Sequence, residues 1–159
     1  VDDVVDVARL AELGEVGGKD GVHAPGVRTD PDDAAKFVAD TGVDLLAVAV
    51  GSSHAMTSRD ATLDFDLVSR IATTVPVPLV LHGSSGVSDE NMVLAIQHGM
   101  TKINVSTHLN HVFTSTVRAM LAQNPELVDT RKWIKPAATA MKQEVARLLS
   151  LYAGGSRKQ

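Results

Sequence analysis

The sequence predicts an α/β domain built on a parallel sheet, and three observations carry that reading. Three apolar, β-branched runs stand out: DLLAVAV at 44–50, PLVLH at 78–82 and KINV at 102–105. They lack the polar/apolar alternation of half-exposed strands, as strands covered on both faces do. Between them lie helical patterns with recognisable ends, which makes a repeating βα series.

The elements follow in order. The opening segment VDDVVDVARLAELGEVGGKDG supports two readings. Val1, Val4, Val5, Ala8 and Ala11 recur at helical spacing, yet AELG followed by a glycine-rich loop resembles the end of a strand. Thr29-Asp30-Pro31 supplies a cap and a first-turn proline for a helix that closes at Gly42. After the first run, Asp64 to Val75 carries Phe65, Leu67, Val68, Ile71 and Ala72 on one helical face and stops before Pro76. After the second, Ser88 caps DENMVLAIQHG, which closes at Gly99. After the third, the pattern predicts a helix from about Thr107 to Gln123, a connection over 124–132, a final helix from about Pro136 to Tyr152, and a frayed tail over 154–159. There is no sequence repeat and no low-complexity tract.

The totals bound the class. With 159 residues, 44% apolar and 21% charged, the chain suits one soluble domain with a core of its own. Its net charge of −4, its pI near 5.8 and its scattered Lys and Arg residues offer no basic stripe for nucleic acid. Zero cysteines exclude disulfides and thiolate metal sites, so a transition metal would be held by His and carboxylates. No apolar run approaches the roughly 20 residues of a membrane helix. Val1 opens an acidic segment without a cleavage signature, so the expectation is a cytoplasmic protein without a membrane or nucleic-acid partner.

In parallel α/β structures ligands gather at the carboxyl ends of strands, where loops and helix N-termini present backbone N–H groups. Here the three ends read Gly51-Ser52-Ser53-His54, His82-Gly83-Ser84-Ser85-Gly86 and Asn104-Val105-Ser106-Thr107. His54 and His82 sit one βα unit apart, which on neighbouring strands is about 5 Å, close enough to share one metal ion. A structural role, each imidazole simply hydrogen-bonded, is the competing reading. Gly83 to Gly86 reads either as a tight turn or as an anion cradle ahead of the helix at Ser88. Asn104 and Thr107 either face a ligand or cap the next helix. His23, His98, His108 and His111 read as surface or packing residues, and Met92, Met100, Met120 and Met141 as core filler.

The stretches GVDLLAVAVGSSHAM, VPLVLHGSSGVSDENM and GMTKINVSTHL resemble the metal-dependent class II aldolases, in the branch that cleaves ketose bisphosphates such as fructose or tagatose 1,6-bisphosphate. AELGEVGGKDG resembles that family's loop after barrel strand five, and DTRKWIKPAATAMKQEVARLL its closing helix. The resemblance runs from Ala11 nearly to the end. It implies a (β/α)₈ barrel of the triosephosphate isomerase type, with residues 1–159 forming a single partial domain that holds strands five to eight. It further implies Zn²⁺ held by His54 and His82, with Glu12 as a carboxylate able to hold the metal in an alternative position, and a monovalent cation, Na⁺ or K⁺, near backbone carbonyls. The phosphate of dihydroxyacetone phosphate would meet Ala55, Gly83, Ser84, Ser85, Asn104, Val105, Ser106 and Thr107. A homodimer or homotetramer is implied as well.

The implied reaction is aldol cleavage of a ketose 1,6-bisphosphate to dihydroxyacetone phosphate and glyceraldehyde 3-phosphate. The family's third histidine and its proton-transferring aspartate belong to the first half of the barrel and have no counterpart here, so no catalytic residue is expected in this chain and the chain alone is expected to be inactive. Four βα units alone would leave open strand edges. Three departures stand out: Ala55 where the family has glycine, a shortened approach around Arg9 to Glu12, and His108 where glutamate is usual. Rival readings are a phosphosugar-binding module without catalysis and a metal-dependent barrel isomerase or epimerase.

Overall fold

The structure is a computed structural model that describes residues 8–14, 28–54, 56 and 58–154. Four parallel strands, β1 (Leu10–Leu13), β2 (Leu45–Val48), β3 (Leu79–Leu81) and β4 (Met100–Ile103), lie side by side in chain order. The helices between them are α1 (Pro31–Thr41), α2 (Phe65–Thr74) and α3 (Asp89–His98), followed by α4 (Thr107–Gln123) and α5 (Arg131–Gly154). The predicted βα series is therefore present. AELG belongs to β1; the helical reading of residues 1–7 lies outside the described residues.

Alternation along the strands sorts their side chains. Leu46, Val48, Leu79 and Leu81 face the helices and form one core with Ala34, Val38, Leu67, Val68, Ile71, Met92 and Ala95. The intervening residues Glu12, Ala47, Val80 and Lys102 pair in one register row across the sheet, on the opposite face. Burial of the β-branched and leucine side chains on the helix side holds the sheet to its helices, each contributing about 1.5–3 kcal/mol.

The helix ends obey the sequence. Asp30 accepts from the N–H groups of Asp32 and Asp33 to cap α1, and Gly42 closes it at φ 60°, a left-handed position that suits glycine. Asp64 caps α2 through the Leu67 N–H, and Ser88 caps α3 through the Asn91 N–H. Two boundaries differ from expectation. β4 begins at Met100, directly after Gly99, rather than at Lys102. The last helix begins at Arg131 rather than near Pro136, because the Asp129 carboxylate takes the Arg131 N–H and starts the helix five residues early. Pro136 is thus inside α5, where its missing N–H leaves a gap in the ladder.

Two local devices shape the sheet's polar end. Between β3 and β4 the register slips: Leu79 pairs with Met100 but Val80 with Lys102, so Thr101 is an extra residue. This bulge turns Lys102 and Asn104 onto the face that carries Glu12. Thr29, 2% exposed, donates its hydroxyl to the Leu13 carbonyl at 2.5 Å and accepts from the Ala49 N–H at 2.8 Å. It pins the end of β1 to that of β2. β1 and β4 have no outer partner strand among the described residues, and Leu10 on β1 is 42% exposed. No helix of the described residues is long and apolar enough to cross a membrane.

Candidate functional site

Three side chains converge at the carboxyl ends of β1, β2 and β3. Glu12, His54 and His82 each offer a donor atom, and these atoms all lie within 4.8 Å of one another. The two imidazole ring centres stand 5.8 Å apart and are tilted by 54°. Donors on one Zn²⁺-sized ion, bound at about 2.0–2.1 Å in tetrahedral geometry, are about 3.3 Å apart, so small side-chain rotations would let the three share it.

His82 shows that a cation would fit. Its Nδ1 lies 3.2 Å from the Glu12 carboxylate, which can only accept, so a neutral ring in this contact carries its proton on Nδ1 and has its lone pair on Nε2. That Nε2 is buried and has no hydrogen-bond partner. A buried acceptor left unpaired costs about 1–3 kcal/mol, and a metal ion is a group that would satisfy it. The backbone behind the ring is fixed as well: buried Ser52 donates its hydroxyl to the His82 carbonyl at 2.7 Å, which ties the ends of β2 and β3 together.

Beside this triad lies a cleft of about 170 Å³ lined by His54, His82, Gly83, Ser84, Ser85, Asn104, Ser106 and Thr107. Gly83 adopts φ 64°, and a Cβ there would meet the Ser53 carbonyl oxygen at 2.6 Å. Only glycine suits both the conformation and the space. The following turn Ser84–Gly86 leads into α3, while α4 starts at Thr107 with no side-chain cap from Ser106. The start of α4 and the Gly83–Ser85 turn thus face one small polar cleft, an arrangement that favours an anion. Buried Ser84 donates to the Asn104 carbonyl at 2.5 Å, and Ser85 accepts from the His108 N–H at 3.0 Å, so the loops after β3 and β4 are stitched together.

The residues picked out in the sequence are mostly brought together. Val105 is the exception: it does not line the cleft, because Asn104 and Ser106 on either side of it do. Ala55 lies outside the described residues. His98 packs as expected, its Nδ1 2.8 Å from the Ser69 hydroxyl, and His23 lies outside the described residues. His108 is more than a surface or packing residue: its Nε2 is 2.7 Å from Glu144 of α5. Met92 and Met100 are core residues, whereas Met120 and Met141 are only half-buried.

The sequence reading missed a charged chain behind the cleft. Glu144 also receives Nε and Nη2 of Arg147 at 2.9 and 2.7 Å, and Arg147 reaches on to Asp89, which Arg59 meets from the other side. The Arg147 hydrogen bonds, helped by His108, hold the Glu144 carboxyl at about 2. Arg147 first and then Arg59 likewise hold Asp89 below its usual range. Nothing in local sequence signals this chain, since its members are up to 88 positions apart; only the Glu144/Arg147 spacing, three apart on a helix, hinted at a pair.

A parallel βα array with a His/His/carboxylate cluster that could hold a metal ion, and a polar cleft at its carboxyl end, defines an α/β domain of the barrel type. Residues 5–156 match the family model described as fructose-bisphosphate aldolase class-II. The chain belongs to that family. Among solved structures, it is similar to the YdjI aldolase of Escherichia coli K12, with 34% identity and a TM-score of 0.71 over 90% of this chain and 48% of that one. It is also similar to a proposed fructose-1,6-biphosphate aldolase of Coccidioides immitis, with 32% identity and a TM-score of 0.78 over 92% of this chain and 52% of the other. The fructose-bisphosphate aldolase of Campylobacter jejuni, at 21% identity and a TM-score of 0.71 over 92% and 52% of the two chains, shares the fold. The chain spans about half the length of these proteins.

Proposed function

We propose that this chain forms the metal- and phosphate-holding part of an aldolase site that cleaves a ketose 1,6-bisphosphate, fructose or tagatose, to dihydroxyacetone phosphate and glyceraldehyde 3-phosphate. His54, His82 and Glu12 would hold Zn²⁺. When bound, the ion would supply Lewis acidity toward the substrate carbonyl and the negative charge left when the C3–C4 bond breaks. Family membership supports the reaction class. The observation that carries the site is the convergence of Glu12, His54 and His82, whose donor atoms lie within 4.8 Å of one another.

The chain's own residues do the binding and orienting. Glu12 holds the His82 ring in one tautomer through Nδ1, leaving Nε2 as a donor. Backbone N–H groups of the Gly83–Ser85 loop and of the first turn of α4 would receive the phosphate, with the Ser84 and Ser85 hydrogen bonds keeping the two loops in place. Anchoring the phosphate fixes the rest of the substrate relative to the imidazoles, which lowers the entropic part of the barrel's task. No residue of this chain is assigned the proton transfer at C4, and the chain alone is proposed to be inactive. The complete assembly is proposed to be a cytoplasmic homodimer or homotetramer.

Zinc titration of the chain by calorimetry tests the site. The expected result is one-to-one binding that disappears in His82→Ala. Unaltered binding in that variant, or none in the unchanged chain, would refute the assignment. Release of a triose phosphate by the protein with its complementing barrel half tests the reaction.

A further inference from the structure

Five side chains from four separate segments form one continuous line behind the anion cleft: Arg59, Asp89, Arg147, Glu144 and His108. Each end is fastened to a loop of the site. At one end Arg59, in the loop that follows His54, donates Nε and Nη2 to the Val87 carbonyl at 3.0 and 2.8 Å, gripping the chain just after the Gly83–Gly86 turn. At the other end His108, in the first turn of α4, donates its N–H to the Ser85 hydroxyl. The middle is α5, whose Arg147 bridges Asp89 of α3 and Glu144 of its own helix.

We propose that α5 acts through this line as a clasp that sets the spacing of the two phosphate-binding loops, with Arg147 and Glu144 as positioning residues for the bound anion. The inference rests on the proposed phosphate reading of the cleft and adds a specific device to it. Neither residue lines the cleft, so the effect runs through His108 to Ser85 and through Asp89 and Arg59 to Val87. The carboxylates are partly shielded, with side-chain exposure of 17% for Glu144 and 28% for Asp89, whereas Arg147 and Arg59 are 43% and 38% exposed. Hydrogen bonds between ionised partners are also short and directional. Two guanidinium groups face two carboxylates, so these four groups carry no net charge.

That balance supplies the test. Arg147→Met leaves one surplus negative charge behind the cleft and Glu144→Met one surplus positive. A field effect would weaken anion binding in the first and strengthen it in the second; loss of positioning weakens it in both. The 159-residue chain, metal-free, is titrated with inorganic phosphate while the amide resonances of Gly83, Ser84, Ser85 and Thr107 are followed. Both variants are expected to weaken phosphate binding by about fivefold or more, since each loses hydrogen bonds to a charged group, and the Glu144→Met effect is expected to shrink below about twofold in a Ser85→Ala background because Glu144 reaches the cleft through His108 and Ser85 in series. Should a methionine variant fail to fold, Asp89→Asn, which keeps its volume, carries the same expectation of weaker binding. Opposite shifts in the two methionine variants, or unchanged affinity in both, overturn the clasp alone. Absence of phosphate binding by the unaltered chain overturns the proposed phosphate cleft and the clasp with it.

Discussion

Gly83→Ala is the substitution with the most to say about how the site is built. Gly83 follows His82, a proposed metal ligand, sits at φ 64°, and lies beneath Ser53, whose carbonyl oxygen, carbon and nitrogen would be 2.6, 2.7 and 3.0 Å from an added Cβ. Two costs follow. A side chain in the left-handed region costs about 1–2 kcal/mol. Beyond that, carbon atoms reach their best separation at about 3.5–4.0 Å, so the Ser53 peptide would have to retreat by about 1 Å. Ser53 precedes His54, so the retreat carries one imidazole away from the other. Donors already spread over 4.8 Å would then be pulled further from a common ion. The expected outcome is a loss of about 2–3 kcal/mol in folding stability by urea denaturation, together with zinc affinity reduced by about tenfold or more in calorimetry, as misplaced ligand supports typically produce. Wild-type zinc affinity in a folded Gly83→Ala protein would refute the claim that this glycine spaces the two histidines.

Three further outcomes follow from the packing. Thr29→Val keeps the shape but strands the Leu13 carbonyl and the Ala49 N–H; at about 1–3 kcal/mol per unpaired buried group, urea unfolding should show a loss of about 2–4 kcal/mol, and a loss under 0.5 kcal/mol (about the size of a neutral surface change) would remove Thr29 as the pin of β1. Glu144 falls from an ordinary 4.5 to about 2 in the folded chain, so its stabilisation is complete above about pH 4.5 and drains away as the pH drops toward 2; Glu144→Gln should flatten the acid limb of a stability-against-pH curve, and an unchanged limb would contradict the pairing. Pro136→Ala restores a backbone donor inside α5 and should raise the thermal midpoint, by the equivalent of about 1–3 kcal/mol; a fall would mean the ring's packing outweighs the missing bond.

The sequence by itself determined the βα order, the caps at Asp30 and Ser88, and the placement of His54, His82 and the Gly83–Ser85 turn at strand ends. Those features depend on neighbours a few positions apart, on hydrophobic runs, capping oxygens and glycine conformations, so they are written locally. The early start of α5 also has a local cause, Asp129 two residues ahead, which the expectation of a helix from about Pro136 did not use. Only the tertiary structure decided the rest. The slip at Thr101 that turns Lys102 and Asn104 onto the Glu12 face depends on how β4 meets β3, and a register is a property of two strands. The Glu12–His82 contact and the line from Arg59 to His108 exist because segments 30 to 70 residues apart are packed together, and pairing at that range leaves no periodic trace in either segment.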